Sequence, residues 1–300
     1  MATARLKLRP VGRTPMSPVA WLAATVLALI TLACLAAPWI AGLTGVGPDS
    51  VDILNRLGPP SAAHPLGTDD LGRDLLQRLL LGGQVSLMVG VLGAVASALV
   101  GGVIGVLAGY VGGRTDDLLM RFTDSVIALP ALPVLIVLAA VDFTEVPALA
   151  WLASSQADTA RIVFLVTLFG WTTVARVVRA QTLSLRRREF IRAAEALGMS
   201  PISIMARHIA PNVLGPVIVA TTLAVGNVIL LETTLSFLGL GIQPPTPSWG
   251  GMLSAAQDLM WQAPHLAVFP GLAIFVSVVA INLVGDGLLT LLDRTDDALT

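Results

Sequence analysis

Six apolar stretches, each about as long as a bilayer core is thick, constrain this chain more than any other feature. The first, "PVAWLAATVLALITLACLAAPWIAGL", runs from Pro18 to Leu43, and the others run from Val85 to Tyr110, Phe122 to Val141, Ile162 to Gln181, Asn212 to Leu238 and Pro264 to Leu292. A spanning helix needs about 20 apolar residues, each adding roughly 1.5 Å across a hydrocarbon core of about 30 Å. Backbone groups cannot reach water there, so each stretch must be helical. The predicted fold is therefore all-α, with six transmembrane helices. Composition agrees: 55% of the 300 residues are apolar and 12% are charged, against about a quarter charged in ordinary soluble domains. The first stretch is too long for a signal-peptide core and reads as an uncleaved anchor.

Placement of the arginines predicts the orientation. With the N-terminus in the cytoplasm, the tail (Arg5, Lys7, Arg9, Arg13), the pair Arg114 and Arg121, the group from Arg176 to Arg207, and Arg294 all fall inside. Only Arg56, Arg73, Arg78 and Arg161 fall outside, as the positive-inside rule requires. Both termini are then cytoplasmic, and Trp39, Trp151, Trp249 and Trp261 lie near the outer boundary. The expected organisation is a tail (1–17), an anchor (18–43), an outer segment (44–84), a five-helix core (85–292) with a cytoplasmic loop at 186–211, and a C-terminal tail (293–300).

Several functions are excluded. All but one of the 18 basic residues are arginine, and the single lysine, Lys7, is in the tail. A Walker A loop needs Lys after its Gly-rich turn, so any ATP used here is hydrolysed by another polypeptide. His64, His208 and His265 fall on different loops and on both sides of the membrane, and no nucleophile elbow or zinc-protease pattern occurs. The chain is not read as an enzyme.

The loop "EFIRAAEALGMSPISIMARHIAPN" has the rhythm of a helix-turn-helix. Phe190, Ala193, Ala194 and Leu197 share one helical spacing, while Glu189, Arg192 and Glu195 point elsewhere. Gly198 suits a helix C-terminus, Ser200 a cap and Pro201 a first turn. The predicted unit is two short helices with an abrupt corner, ending at Pro211. Spans hold it at both ends, so it cannot enter a DNA groove, and nucleic acid is set aside as a partner. Ala193 and Ala194 instead offer a shallow small-residue face for a soluble protein.

At this point the chain resembles the inner-membrane permease subunits of bacterial ATP-binding-cassette importers, specifically the second permease of dipeptide, oligopeptide and nickel systems. Their Glu-Ala-Ala-x-x-x-Gly signature, with a later Ile or Leu and Pro, matches "RAAEALG" and "HIAPN", with Ala193, Ala194, Gly198 and Pro211 in register. Arg192 stands where the pattern has Glu, and Ala210 where it has Leu. The likeness includes "HPLGTDDLGRDLLQRLLLGGQVSL", "LLETTLSFLGLGIQPPTPSWGGML" and "FPGLAIFVSVVAINLVGDGL". It implies a type I importer permease fold and a multi-pass chain in the bacterial inner membrane. It also implies a coupling role for Glu189, Arg192, Ala193, Ala194, Gly198, Ser200, Pro201 and Pro211. The implied partners are a homologous second permease, two ATPase subunits carrying ATP and Mg, and an extracytoplasmic binding protein. No cofactor is expected on this chain, and the implied cargo is a di- or oligopeptide, with nickel chelates, glutathione and opines as alternatives.

Other residues keep two readings. Asp69, Asp70 and Asp74 near His64 could suit a metal, although Asp69 or Asp70 capping the next helix is the simpler account. Glu232 lies within a span, where a charge costs roughly 2.5 to 3.5 kcal/mol. It is either a polar lock between helices or part of the pathway. Asp124 and Asp286 sit nearer the cytoplasmic boundary, for snorkelling or pairing with Arg121 or Arg176. In a different class of protein, a proton-coupled secondary transporter, Glu232 or Asp124 would carry the proton. "GIQPPTPSWGG" reads as a stiff non-helical connector with Trp249 at the interface, or as a rim against a partner. Gly101, Gly102 and the glycines from Gly109 to Gly113 read as close helix packing.

Overall fold

A computed structural model of the chain describes residues 17–44, 47, 49–141, 143–145, 149–153 and 157–297. The tail residues Arg5, Lys7, Arg9 and Arg13, the side chain of Arg294, and positions 298–300 lie outside the described residues. Apart from short 3-10 turns and one isolated antiparallel bridge between Thr68 and Asp74, the regular elements of the described part are helices: α1 Pro18–Leu35, α2 Ala37–Thr44, α3 Leu75–Val111, α4 Gly113–Ala128, α5 Ala131–Ala139, α6 Asp158–Arg186, α7 Glu189–Ala196, α8 Pro201–Ile204, α9 Ala210–Phe237, α10 Trp249–Ala256 and α11 His265–Asp297. Five helical stretches are long and apolar enough to cross a membrane, and a sixth crossing exists if α4 and α5 are one bent span.

That bend corrects the expectation of one continuous helix from Phe122 to Val141. Pro130 has no N–H to donate and disfavours a helical conformation in the residue before it. Leu129 is accordingly extended, with φ −73° and ψ 136°, and α4 and α5 meet at 81°. The second span also differs: α3 begins at Leu75, ten residues before Val85, so part of the expected 44–84 segment is helix. Hydropathy misplaces this start because Gln77 and Arg78 interrupt the apolar run, yet both are buried by tertiary packing.

α3 is the central post. Its glycines repeat every fourth residue along the face against α6, where a Cβ on Gly101 would stand 2.4 Å from the Trp171 carbonyl oxygen, one on Gly105 2.6 Å from that of Ala175, and one on Gly109 2.6 Å from Thr182 Cβ. Between helices in lipid, association rests on such close backbone approach. Gly102 points into open space and takes no part. Another face of α3 meets α9, with Gly90 against Ile229 and Gly93 against Val228.

Over the α3 N-terminus sits a compact cap. Asp74, rather than Asp69 or Asp70, caps the helix, accepting from the Gln77 N–H at 2.8 Å, and His64 Nδ1 lies 2.9 Å from its other oxygen. Asp69 instead closes the preceding turn, accepting from the N–H groups of Leu71 and Arg73, both at 2.9 Å, and from Arg73 Nε at 2.7 Å.

Trp249 departs from the interfacial expectation. It is 1% exposed, packs with Cys34 and Ile229, and its indole N–H donates to the Leu79 carbonyl at 2.9 Å. The last residues of the expected stiff connector in fact open α10, with the Ser248 hydroxyl accepting from the Gly251 N–H at 3.1 Å. Trp39, Trp151 and Trp261 are exposed.

Candidate coupling site and buried polar lock

The loop after α6 folds into a rigid projection. α7 ends in a left-handed residue, Gly198 at φ +79°, which glycine adopts without a Cβ penalty. The Met199 N–H donates to the Ala194 carbonyl at 3.1 Å and the Gly198 N–H to that of Glu195 at 3.0 Å, the paired bonds of a Schellman cap. Ser200 then caps α8, accepting from the Ser203 N–H at 3.3 Å, with Pro201 in the first turn. These positions behave as the sequence predicts.

The end of the projection does not. α8 runs through a π turn at Met205–Ile209 straight into α9, so Pro201–Phe237 is one helical rod and Pro211 does not break it. A proline ring clashes with the carbonyl four residues back in an α-helix; the wider π turn just before Pro211 makes room for it.

The two faces of α7 also need correction. Ala194 is 5% exposed and packs inward with Ile191, Ile204 and Ile209 against Val174, Val178 and Tyr110, so it does not share a surface with Ala193. Adjacent helical positions are about 100° apart, and burial of Ile191 turns Ala194 in and Ala193 out. The outward face carries Phe190, 44% exposed, Leu197, 84%, and Ile202, 75%, beside exposed Ala193 and Pro201. Glu189 and Arg192 are also exposed, and Glu195 accepts from the Tyr110 hydroxyl at 3.2 Å, which ties the projection to α3. Sequence reasoning missed Ile202 and Tyr110. The first was visible as an isolated apolar residue just after a capped helix start, and the second as the only tyrosine of the chain.

Glu232, on α9, is fully buried. It accepts from the Ser86 hydroxyl of α3 at 3.1 Å and from the Ser236 hydroxyl at 2.7 Å. Those two oxygens accept in turn from the backbone N–H of Trp249, at 3.2 Å, and of Ile242, at 3.3 Å. One carboxylate thus joins α3, α9 and the segment leading into α10. Ser236 also lines a cavity of 280 Å³ whose wall combines Asp69, Arg73 and Arg78 with Leu75, Ile242 and Met252, so the lock lies beside a recess of mixed charged and apolar lining.

Asp124 pairs with Arg176 Nη2 at 2.5 Å, and Asp286 is exposed on α11. A second pair went unread in the sequence: Arg179 of α6 grips Asp116 of α4 with two bonds, Nε to Oδ1 at 2.5 Å and Nη2 to Oδ2 at 2.6 Å. The fixed guanidinium fork suits this bidentate geometry.

Comparison with known proteins accords with this architecture. Residues 101–295 match the family described as "Binding-protein-dependent transport system inner membrane component". The chain is 40% identical over 275 residues to the "Glutathione transport system permease protein GsiD" of Escherichia coli O6:K15:H31, covering 92% of this chain and 86% of that protein. It has the same identity and coverage with the proteins of that name from Shigella boydii serotype 4 and Shigella sonnei. A non-catalytic, multi-pass helical chain of this kind works with an ATPase and a binding protein, and it belongs to the family of inner-membrane components of binding-protein-dependent transport systems.

Proposed function

We propose that this chain forms half of the translocation pathway of an ATP-driven importer for glutathione-sized or similar small peptides. It would pair with a homologous permease, two ATPase subunits and an extracytoplasmic binding protein. The α7–α8 projection is the seat of one ATPase, on the cytoplasmic side with the tails 1–17 and 293–300, while the segment between α2 and α3 faces outward. The observation that carries this reading is the outward set Phe190, Leu197 and Ile202 on a corner fixed by the Schellman cap and tied to α3 through Tyr110. An exposed apolar cluster on a rigid mount, outside the bilayer, marks a protein contact. An open groove of 830 Å³ along α1, α3 and α9 supports a second membrane subunit. Peptide cargo rests on the name of the relatives.

The test is purification of the tagged protein from native membranes in mild detergent, as wild type, Leu197→Asp and Gly198→Arg. Recovery of an ATPase with the wild type, and its loss in both variants, is the expected result. A wild-type protein that emerges alone and still moves solute on a proton gradient would overturn the reading and turn attention to Glu232 and Asp124.

A further inference from the structure

Arg186, Arg187 and Arg188 follow one another where α6 ends, and Arg192 lies one turn into α7. All four are exposed, and among the described residues none is ion-paired with a carboxylate. Arg186 lies 5.8 Å over the Tyr110 ring with Nη1 3.5 Å from the Val111 carbonyl. Two open cavities flank Arg187. One, of 480 Å³, is walled by Leu183, Arg186, Arg187, Arg192 and Glu195; the other, of 490 Å³, by Leu183, Ser184, Arg187 and Arg188. Glu195, the one acid on these walls, already accepts from Tyr110.

Depth within the bilayer points to what fills them. At 1.5 Å per residue, the 29 residues of α6 span roughly 43 Å, the thickness of a bilayer including its headgroups. With the apolar stretch Ile162 to Gln181 placed across the hydrocarbon core, the last turn of α6, Leu183 to Arg186, falls in the headgroup layer. One cation would satisfy the negative end of the helix; four mutually repelling guanidiniums around two cavities call for an anion. The guanidinium fork matches phosphate oxygens, and Leu183, common to both cavities, supplies an apolar wall. Arg186, Arg187 and Arg188 lie at the root of the projection, apart from the apolar set Phe190, Leu197 and Ile202; Arg192, although on α7, lines the cavity at the α6 end with Leu183, Arg186 and Arg187, which assigns it to the lipid rather than to the coupling role that the resemblance implies.

We propose that Arg187, Arg188 and Arg192 bind the phosphate of an anionic phospholipid headgroup at the root of the projection. The experiment is native mass spectrometry of the delipidated full-length protein with phosphatidylglycerol or phosphatidylcholine at equal concentration. Expected is a clear preference for phosphatidylglycerol that falls as salt is raised, and its weakening by about fivefold per arginine in Arg187→Gln and in Arg192→Gln. Arg114→Gln, altering an exposed arginine on α4, leaves it unchanged. Equal binding of the two lipids by the wild type overturns the proposal without recourse to any variant. So does a preference unmoved by both glutamine variants, or one abolished by millimolar inorganic phosphate, which would make the ligand a soluble phosphate. Loss of the ATPase from the Arg187→Gln complex with lipid preference intact would assign the cluster to the motor and likewise overturn it.

Discussion

At the scale of single residues, Glu232 is the position on which most depends. Its two oxygens hold hydroxyls from α3 and α9, and each of those hydroxyls holds a backbone N–H of the connector into α10. Removing the carboxyl leaves two buried hydroxyls without their acceptor, at about 1–3 kcal/mol for each group left unsatisfied. Glu232→Ala should therefore lower the melting temperature of the purified protein substantially. Glu232→Gln, which keeps one acceptor oxygen and the shape, should lose less and retain ATP-driven uptake. Uptake abolished in a Glu232→Gln protein of unchanged melting temperature would show a role beyond structure. The Asp116–Arg179 pair has a different logic: two parallel bonds fix the first turn of α4 on α6, at the end of α4 away from the 81° bend.

At the scale of helices, the α3–α6 seam is set by what is missing from side chains. Gly105→Leu would drive a side chain into the Ala175 carbonyl and part the two helices, whereas at Gly102 an added Cβ meets nothing within 4 Å and Gly102→Leu points away from the seam. The first should abolish recovery of folded protein in detergent and the second leave it near wild type, as size-exclusion profiles would show. This seam was half legible in the sequence: the glycines were visible as packing residues, but the facing direction separating Gly101 from Gly102 comes only from the partner helix. Span positions were legible because twenty apolar residues admit few alternatives. The start of α3 was not, because Gln77 and Arg78 are buried by residues distant in sequence. The corner at Gly198 was readable as local chemistry. The inward turn of Ala194 was not, since it depends on Ile191, Ile204 and Ile209 meeting α6. Trp249 misled for a similar reason: its composition fits an interface, and only the Leu79 carbonyl and the apolar cluster around Cys34 draw it inward.

At the scale of the whole molecule, the proposed orientation places the cap over α3 on one side of the bilayer and the projection on the other. Cys34 is the only cysteine and is 3% exposed, so a Cys34→Ala background admits a direct test. Leu54→Cys, at a side chain 97% exposed, should react with an impermeant maleimide in spheroplasts, and Ile202→Cys only after the membrane is opened. The reverse pattern would invert the molecule and remove the projection from the ATPase.

The π turn at Met205–Ile209 has a consequence for exchanging parts between such permeases. Because helix runs unbroken from Pro201 to Phe237, a residue gained or lost between the projection and Glu232 would rotate one against the other by about 100°. Pro211, where the sequence invites a graft junction, lies inside that rod. A chimaera that keeps both ends in phase must be joined at Leu197–Gly198, where the chain already changes direction, and must carry the five-residue turn with the recipient span.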